Sequence, residues 1–248
     1  MILFYVRHGD PIYAPDSLTS LGKRQAEAVA KRLATFGVDQ IFSSTSIRAM
    51  QTAQPLCELL GQSCTTLDFM HESLMDREMG IQIHDTRRTW FWSHPTYAQL
   101  LCSREVRNLG DRWYEHSALA PFPLEQSLRR VGTAADEWLA SLGYEHDREK
   151  GLYRITEQAS PDKRVALFAH EGVGKVFMSE VLDIPFPLYA EHFDMRHSGI
   201  TVICFDHGAK YPVEGYARAR VLTLSNDAHL LREGLPLTHI SSGLEKRY

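Results

Sequence analysis

Apolar and polar positions alternate between two rhythms along this chain. Residues 2–6 form a short run of branched and aromatic residues, the pattern of a buried strand, and Gly9-Asp10-Pro11 breaks it. A helical rhythm follows: Leu21, Ala28, Val29, Leu33 and Phe36 fall on one face, Thr19 or Ser20 can cap the start, and Gly37 can stop it. Residues 38–43 predict a second strand and 46–60 a second helix, with Gly61 behind it. Pro55 lies inside that helix and is expected to kink it. Residues 64–67 predict a third strand.

The stretch from about 82 to 123 has neither rhythm. It holds Trp90, Phe91, Trp92, Trp113, several histidines, Pro121 and Pro123, and predicts an inserted, largely helical cap. A helix over 124–142, a strand over 163–169, a helix over 173–182, and strands over 200–205 and 219–224 complete the series. Strands alternating with helices predict an α/β fold: a three-layer α/β/α sandwich with a mainly parallel central sheet and helices on both faces. Residues 1–248 are read as one domain carrying the cap, with no internal repeat.

Composition narrows the picture. The 248 residues are 44% hydrophobic and 23% charged, ordinary for a globular chain able to bury a core. The net charge is −4 and there is no long basic block, so a nucleic-acid partner has no electrostatic footprint. A few arginines focused in one pocket can still bind an anion. Cys57, Cys64, Cys102 and Cys204 form no C-x-x-C pair, which points to free thiols in a reducing compartment. The apolar start is too short for a signal-peptide core or a membrane span, and a cytoplasmic protein with no membrane partner is expected.

The chemistry gathers at strand ends, where open α/β sheets build their sites. The first strand ends in Arg7-His8-Gly9: a guanidinium fork suited to phosphate oxygens, an imidazole that can be neutral and nucleophilic, and a residue that lets backbone approach a ligand. The second ends in Ser43-Ser44, with Arg48 on the first turn of the next helix. The strand over 163–169 runs into His170-Glu171-Gly172. Two arginines and two histidines at three strand ends amount to a phosphate pocket, with Arg7, Gly9, Arg48 and His170 as its binding residues. The remaining histidines, among them His71 and His197, show no metal-ligand spacing and are read as structural or surface groups.

These motifs carry a resemblance. Arg7-His8-Gly9 after an N-terminal strand resembles the signature of the histidine phosphatase superfamily, phosphoglycerate mutase-like branch. The segments from Asp16 to Ala26, Ser43 to Ala53, Phe168 to Val173 and Ser198 to Thr201 are similar to further motifs of that family, in order. The resemblance implies a metal-independent, cofactor-free phosphatase in which His8 becomes phosphohistidine while Arg7, Arg48 and His170 hold the phosphoryl oxygens. It also implies a carboxyl general acid a few residues before a glycine. That spacing lands on Asp76 before Gly80, with Glu72 as the second choice and Glu171 as a third. The catalytic set expected is His8, Asp76 and His170.

Phosphoglycerate mutases carry a longer signature after the R-H-G triplet, and Asp10-Pro11-Ile12-Tyr13 lacks it. A phosphatase acting on a small-molecule phosphate ester is therefore favoured over mutase-type transfer, and over a phosphate-binding interaction protein without turnover. A homodimer is left open.

Overall fold

The computed structural model describes residues 1–84, 87–208 and 213–237. In chain order its strands are β1 (Ile2–Arg7), β2 (Pro11–Tyr13), β3 (Asp16–Leu18), β4 (Gln40–Ser44), β5 (Cys64–Leu67), β6 (Gly80–His84), β7 (Arg87–Trp90), β8 (Tyr144–Asp147), β9 (Leu152–Ile155), β10 (Arg164–Ala169), β11 (Ile200–Asp206) and β12 (Tyr216–Asn226). Its α-helices are α1 (Ser20–Phe36), α2 (Ile47–Leu60), α3 (Glu72–Met79), α4 (Pro95–Leu101), α5 (Arg104–Asn108), α6 (Leu124–Ser141), α7 (Gly172–Leu182), α8 (Phe186–His192) and α9 (Ala228–Arg232).

Eight strands form one sheet in the order β5-β4-β10-β1-β11-β12-β9-β8. β5, β4, β10 and β1 run parallel, and every pairing from β1 through β11, β12 and β9 to β8 is antiparallel. The sheet is therefore mixed, where a mainly parallel one was expected. The reason is local: among the described residues no helix separates β8 from β9 or β11 from β12, and a parallel pair needs a crossover.

Alternation along the strands builds the layers. Leu3 and Tyr5 of β1 and Val165, Leu167 and Ala169 of β10 join a core with Trp138 of α6 and Phe177 of α7. Phe4, Val6, Ala166 and Phe168 face the other way, onto Val29 and Leu33 of α1 and Leu56 of α2. A period of two on the strands thus feeds helical stripes on both faces, giving the α/β/α sandwich.

Sequence punctuation sets the helix ends. Thr19 caps α1 by accepting the Gly22 N–H, and Ser46 caps α2 by accepting that of Ala49. Gly61 closes α2 in the left-handed region at φ 62°. The helix runs through Pro55 to Leu60 as a single element.

The region read as a helical cap begins instead as a hairpin, β6–β7, and then turns into short helices up to Leu119. Its aromatic residues pack together: Trp90 stacks on Trp92 at 4.7 Å, and Trp113 on Phe186 of α8 at 5.5 Å. No helix of the described residues is long and apolar enough to cross a membrane.

Candidate active site

Three neighbouring strands, β4, β10 and β1, deliver Ser44, His170 and Arg7-His8 to one end of the sheet. The loop after β1 is pinned from both sides. Gly9 donates its N–H to Thr52 Oγ1 of α2 at 3.0 Å, and Asp10 donates to Gln25 Oε1 of α1 at 2.7 Å. Gly22 lets α1 close on this loop, since a Cβ there would stand 2.2 Å from the Asp10 carbonyl oxygen. The polar residues of the two helical motifs are thus supports for the Arg7-His8-Gly9 turn. Gly9 was expected to bind phosphate, but its N–H is already engaged by Thr52.

His8 is buried, 1% exposed. Its Nδ1 lies 2.7 Å from the Gly9 carbonyl oxygen, and a carbonyl only accepts, so Nδ1 carries the proton and Nε2 keeps a free lone pair. Burial pushes its pKa well below the usual range, and His170, Arg7 and Arg48 push the same way.

His170 is likewise resolved by its partners. Arg48 Nη2 donates to Nδ1 at 3.0 Å, so Nε2 holds the proton and donates to Ser44 Oγ at 2.9 Å. Burial and the Arg48 charge hold this ring neutral as well. Its 3.6 Å approach to Glu72 Oε2 is accordingly a contact with a neutral ring rather than an ion pair.

Both arginines are mostly buried and anchored by carboxylates. Arg7 Nη1 pairs with Glu171 at 2.5 Å and also donates to the Met195 carbonyl. Arg48 pairs with Asp16 at 2.8 Å and Glu72 at 3.1 Å, and its guanidinium lies 5.4 Å from the Tyr13 ring. The Nε groups of both arginines are buried with no acceptor among the described residues. Buried donors left open beside two fixed cations form a site for an anion's oxygens. His8, Glu72 and His170 bring ligand atoms within 4.8 Å of one another, a spacing a metal ion could use. The engaged nitrogens of His170 and the adjacent guanidinium charges oppose a cation there.

The carboxyl group nearest the imidazoles belongs to Glu72. Oε1 accepts the N–H of Gly172 at the start of α7 at 2.8 Å, and Oε2 accepts from Arg48. Burial raises its pKa, with Arg48 opposing. Asp76, the acid favoured from the sequence, does not join the pocket. It sits one turn further along α3, its side chain 45% exposed, 3.4 Å from Arg88. Spacing counted back from Gly80 marked Asp76, but it is the N-terminus of α3 that is directed at the pocket. Glu171 pairs with Arg7, and its pKa is raised to about 7, mainly by burial.

Some neighbours had no signal in the sequence. Trp90 packs where a Cβ on Gly172 would stand 2.3 Å from its ring, which closes one wall. His197 lies with its ring centroid 5.4 Å from that of His8. Neither has a motif spacing that links it to the R-H-G turn.

Comparison with known proteins adds the following. Residues 3–116 match the profile of the histidine phosphatase superfamily (branch 1). Over 83 residues the chain is 37% identical to a PE-PGRS family protein of Mycobacterium tuberculosis, covering 29% of this chain and 14% of that protein. The solved structure of a mycobacterial glucosyl-3-phosphoglycerate phosphatase with inorganic phosphate superposes with a TM-score of 0.56 at 23% identity, over 92% of this chain and 98% of that one. Phosphoserine phosphatase from Entamoeba histolytica, solved with 3-phosphoglyceric acid, superposes with a TM-score of 0.55 at 19% identity, over 92% and 98%. At these identities the structural likeness is one of fold.

Proposed function

We propose that this chain, whose residues 3–116 match the histidine phosphatase superfamily profile, hydrolyses small-molecule phosphate monoesters by passing the phosphoryl group to His8 and then to water. The observation that carries the reading is the tautomer of His8: its Nδ1–H is tied to Gly9, so the Nε2 lone pair is free beside two arginines with open donors.

In the first step Nε2 attacks phosphorus and the ester P–O bond breaks. Arg7 and Arg48 balance the charge on the phosphoryl oxygens, and His170 orients Arg48 through Nη2. Glu72 is the proton donor to the leaving oxygen. Burial favours its protonated form, and Arg48 and the Gly172 N–H receive the carboxylate left behind. Water then attacks the phosphohistidine, the P–N bond breaks, and the proton returns to Glu72.

The test is phosphate release from p-nitrophenyl phosphate and a panel of small esters, with a chelator present, for wild type and His8→Ala. Glucosyl-3-phosphoglycerate and phosphoserine belong in the panel because they are the substrates named for proteins of the same fold. Turnover that survives chelation and disappears in His8→Ala is the expected result. A folded wild type that turns over none of the panel would overturn the reading.

A further inference from the structure

His197 is 3% exposed, yet neither of its ring nitrogens has a hydrogen-bond partner among the described residues. Buried polar atoms are nearly always paired, so two orphans on one ring call for a ligand. The ring is held in a fixed place. Ser198, at φ 58°, donates its N–H to the carbonyl oxygens of Arg7 and His8, both at 3.0 Å. That ties residue 197 to the backbone of the nucleophile, with the two rings tilted by 33°. On the other side, His197 Nδ1 stands 3.7 Å from Asp10 Oδ1, just beyond hydrogen-bond reach.

The charges facing His197 are Arg7 and Asp10 around the β1 end, Arg48 from α2 and Asp194 from the segment after α8, with the neutral ring of His8 beside it. Burial and the two guanidinium groups outweigh Asp194 and lower its pKa to about 3. The ring is therefore a neutral imidazole with one N–H and one lone pair unpartnered among the described residues.

We propose that His197 is a further ligand of the phosphoryl group, donating from one ring nitrogen to a phosphoryl oxygen while the other turns to Asp10. The inference rests on the phosphoryl-site reading above. A bound phosphoryl dianion offsets the two guanidinium charges, which lets the ring take a proton from solvent and donate from both nitrogens at once. His197 thereby adds a donor on the side of His8 that His170 does not cover.

Inorganic phosphate is the probe, titrated calorimetrically into the full chain for wild type, His197→Phe and His197→Gln. Phe keeps a ring against His8 and removes the nitrogens; Gln keeps a donor. Phosphate affinity should fall about tenfold or more in the Phe variant and substantially less in the Gln variant, as a lost charge-assisted hydrogen bond requires. Equal affinity in Phe and wild type, or equal losses in Phe and Gln, would overturn the assignment. Should the Phe variant not fold, ring 15N shifts of wild-type His197 decide: they move on adding phosphate if it is a ligand, and unmoved shifts count against it. A wild type that binds no phosphate at all overturns the phosphoryl-site reading instead.

Discussion

The Nδ1 of His8 stands 2.7 Å from the carbonyl oxygen of Gly9, the next residue in the chain. The turn that presents the imidazole therefore also assigns its proton. His8→Ala should lose on the order of 10⁴-fold or more in kcat, as removal of a nucleophile does elsewhere. Wild type given labelled substrate and quenched in alkaline denaturant should carry base-stable, acid-labile phosphate that the variant lacks. Label retained in His8→Ala would place the nucleophile elsewhere.

Glu72 and Asp76 are four residues apart on α3, and their neighbours differ sharply. Glu72→Gln should lower kcat for alkyl phosphates by about 10²–10⁴-fold, the usual range for a general acid. The loss should be much smaller with p-nitrophenyl phosphate, whose leaving group departs without protonation. Asp76→Asn should stay within a few-fold of wild type in the same steady-state assay. The reverse ranking of the two variants would return the acid to Asp76.

Glu171, its pKa raised to about 7, pairs with Arg7. As pH rises through 7 the carboxyl ionises and offsets the guanidinium that an anion needs, so kcat/KM should fall on the alkaline side. The folded state also holds this proton more tightly than the unfolded chain, whose value is 4.5, so its favourable contribution to stability fades between those two values as pH rises. Glu171→Gln should flatten the alkaline limb of the pH–rate profile. The ester's own ionisation near pH ~6 affects both proteins alike. An unchanged alkaline limb would remove Glu171 from the account.

Gly22 lies in the first turn of α1, where alanine is ordinarily better by about 0.5–1 kcal/mol. Here the added Cβ would meet the Asp10 carbonyl oxygen at 2.2 Å and its nitrogen at 2.9 Å, both backbone atoms. Overpacking of about 1–3 kcal/mol should win. Gly22→Ala is expected to lower Tm by several degrees and to lower kcat with it, because the displaced loop carries His8. A raised Tm would show that the loop yields freely.

How much of this was legible in the sequence follows from where each signal lives. β1, β4, β10, α6 and α7 were readable because their apolar spacing has one clear period and capping residues or glycines mark many of the ends. Arg7, His8, Arg48 and His170 were readable because each stands at a strand end or one turn beyond. The antiparallel half of the sheet was not, since alternation of strand and helix says nothing about connections made without a helix. β6–β7 was obscured by Trp90 and its neighbours, whose bulk suggested a packed helical cap. Glu72 ranked below Asp76 because spacing from a glycine is a statement about the chain, whereas reach into a pocket depends on the direction of a helix. His197 carried no signal at all: it approaches His8 only once β11 pairs with β1.

β10 lies between β1 and β4, and β11 lies on the other side of β1. The first 67 residues therefore contain three strands of the sheet, β1, β4 and β5, of which only β4 and β5 are neighbours. His8 directly follows β1, and β1 has no adjacent strand until residues 164–206 are in place. Closing contacts across so much chain is slow compared with forming local helices. Catalytic competence should consequently be among the last properties gained in refolding, appearing with the joining of the sheet rather than with the rise of helix signal.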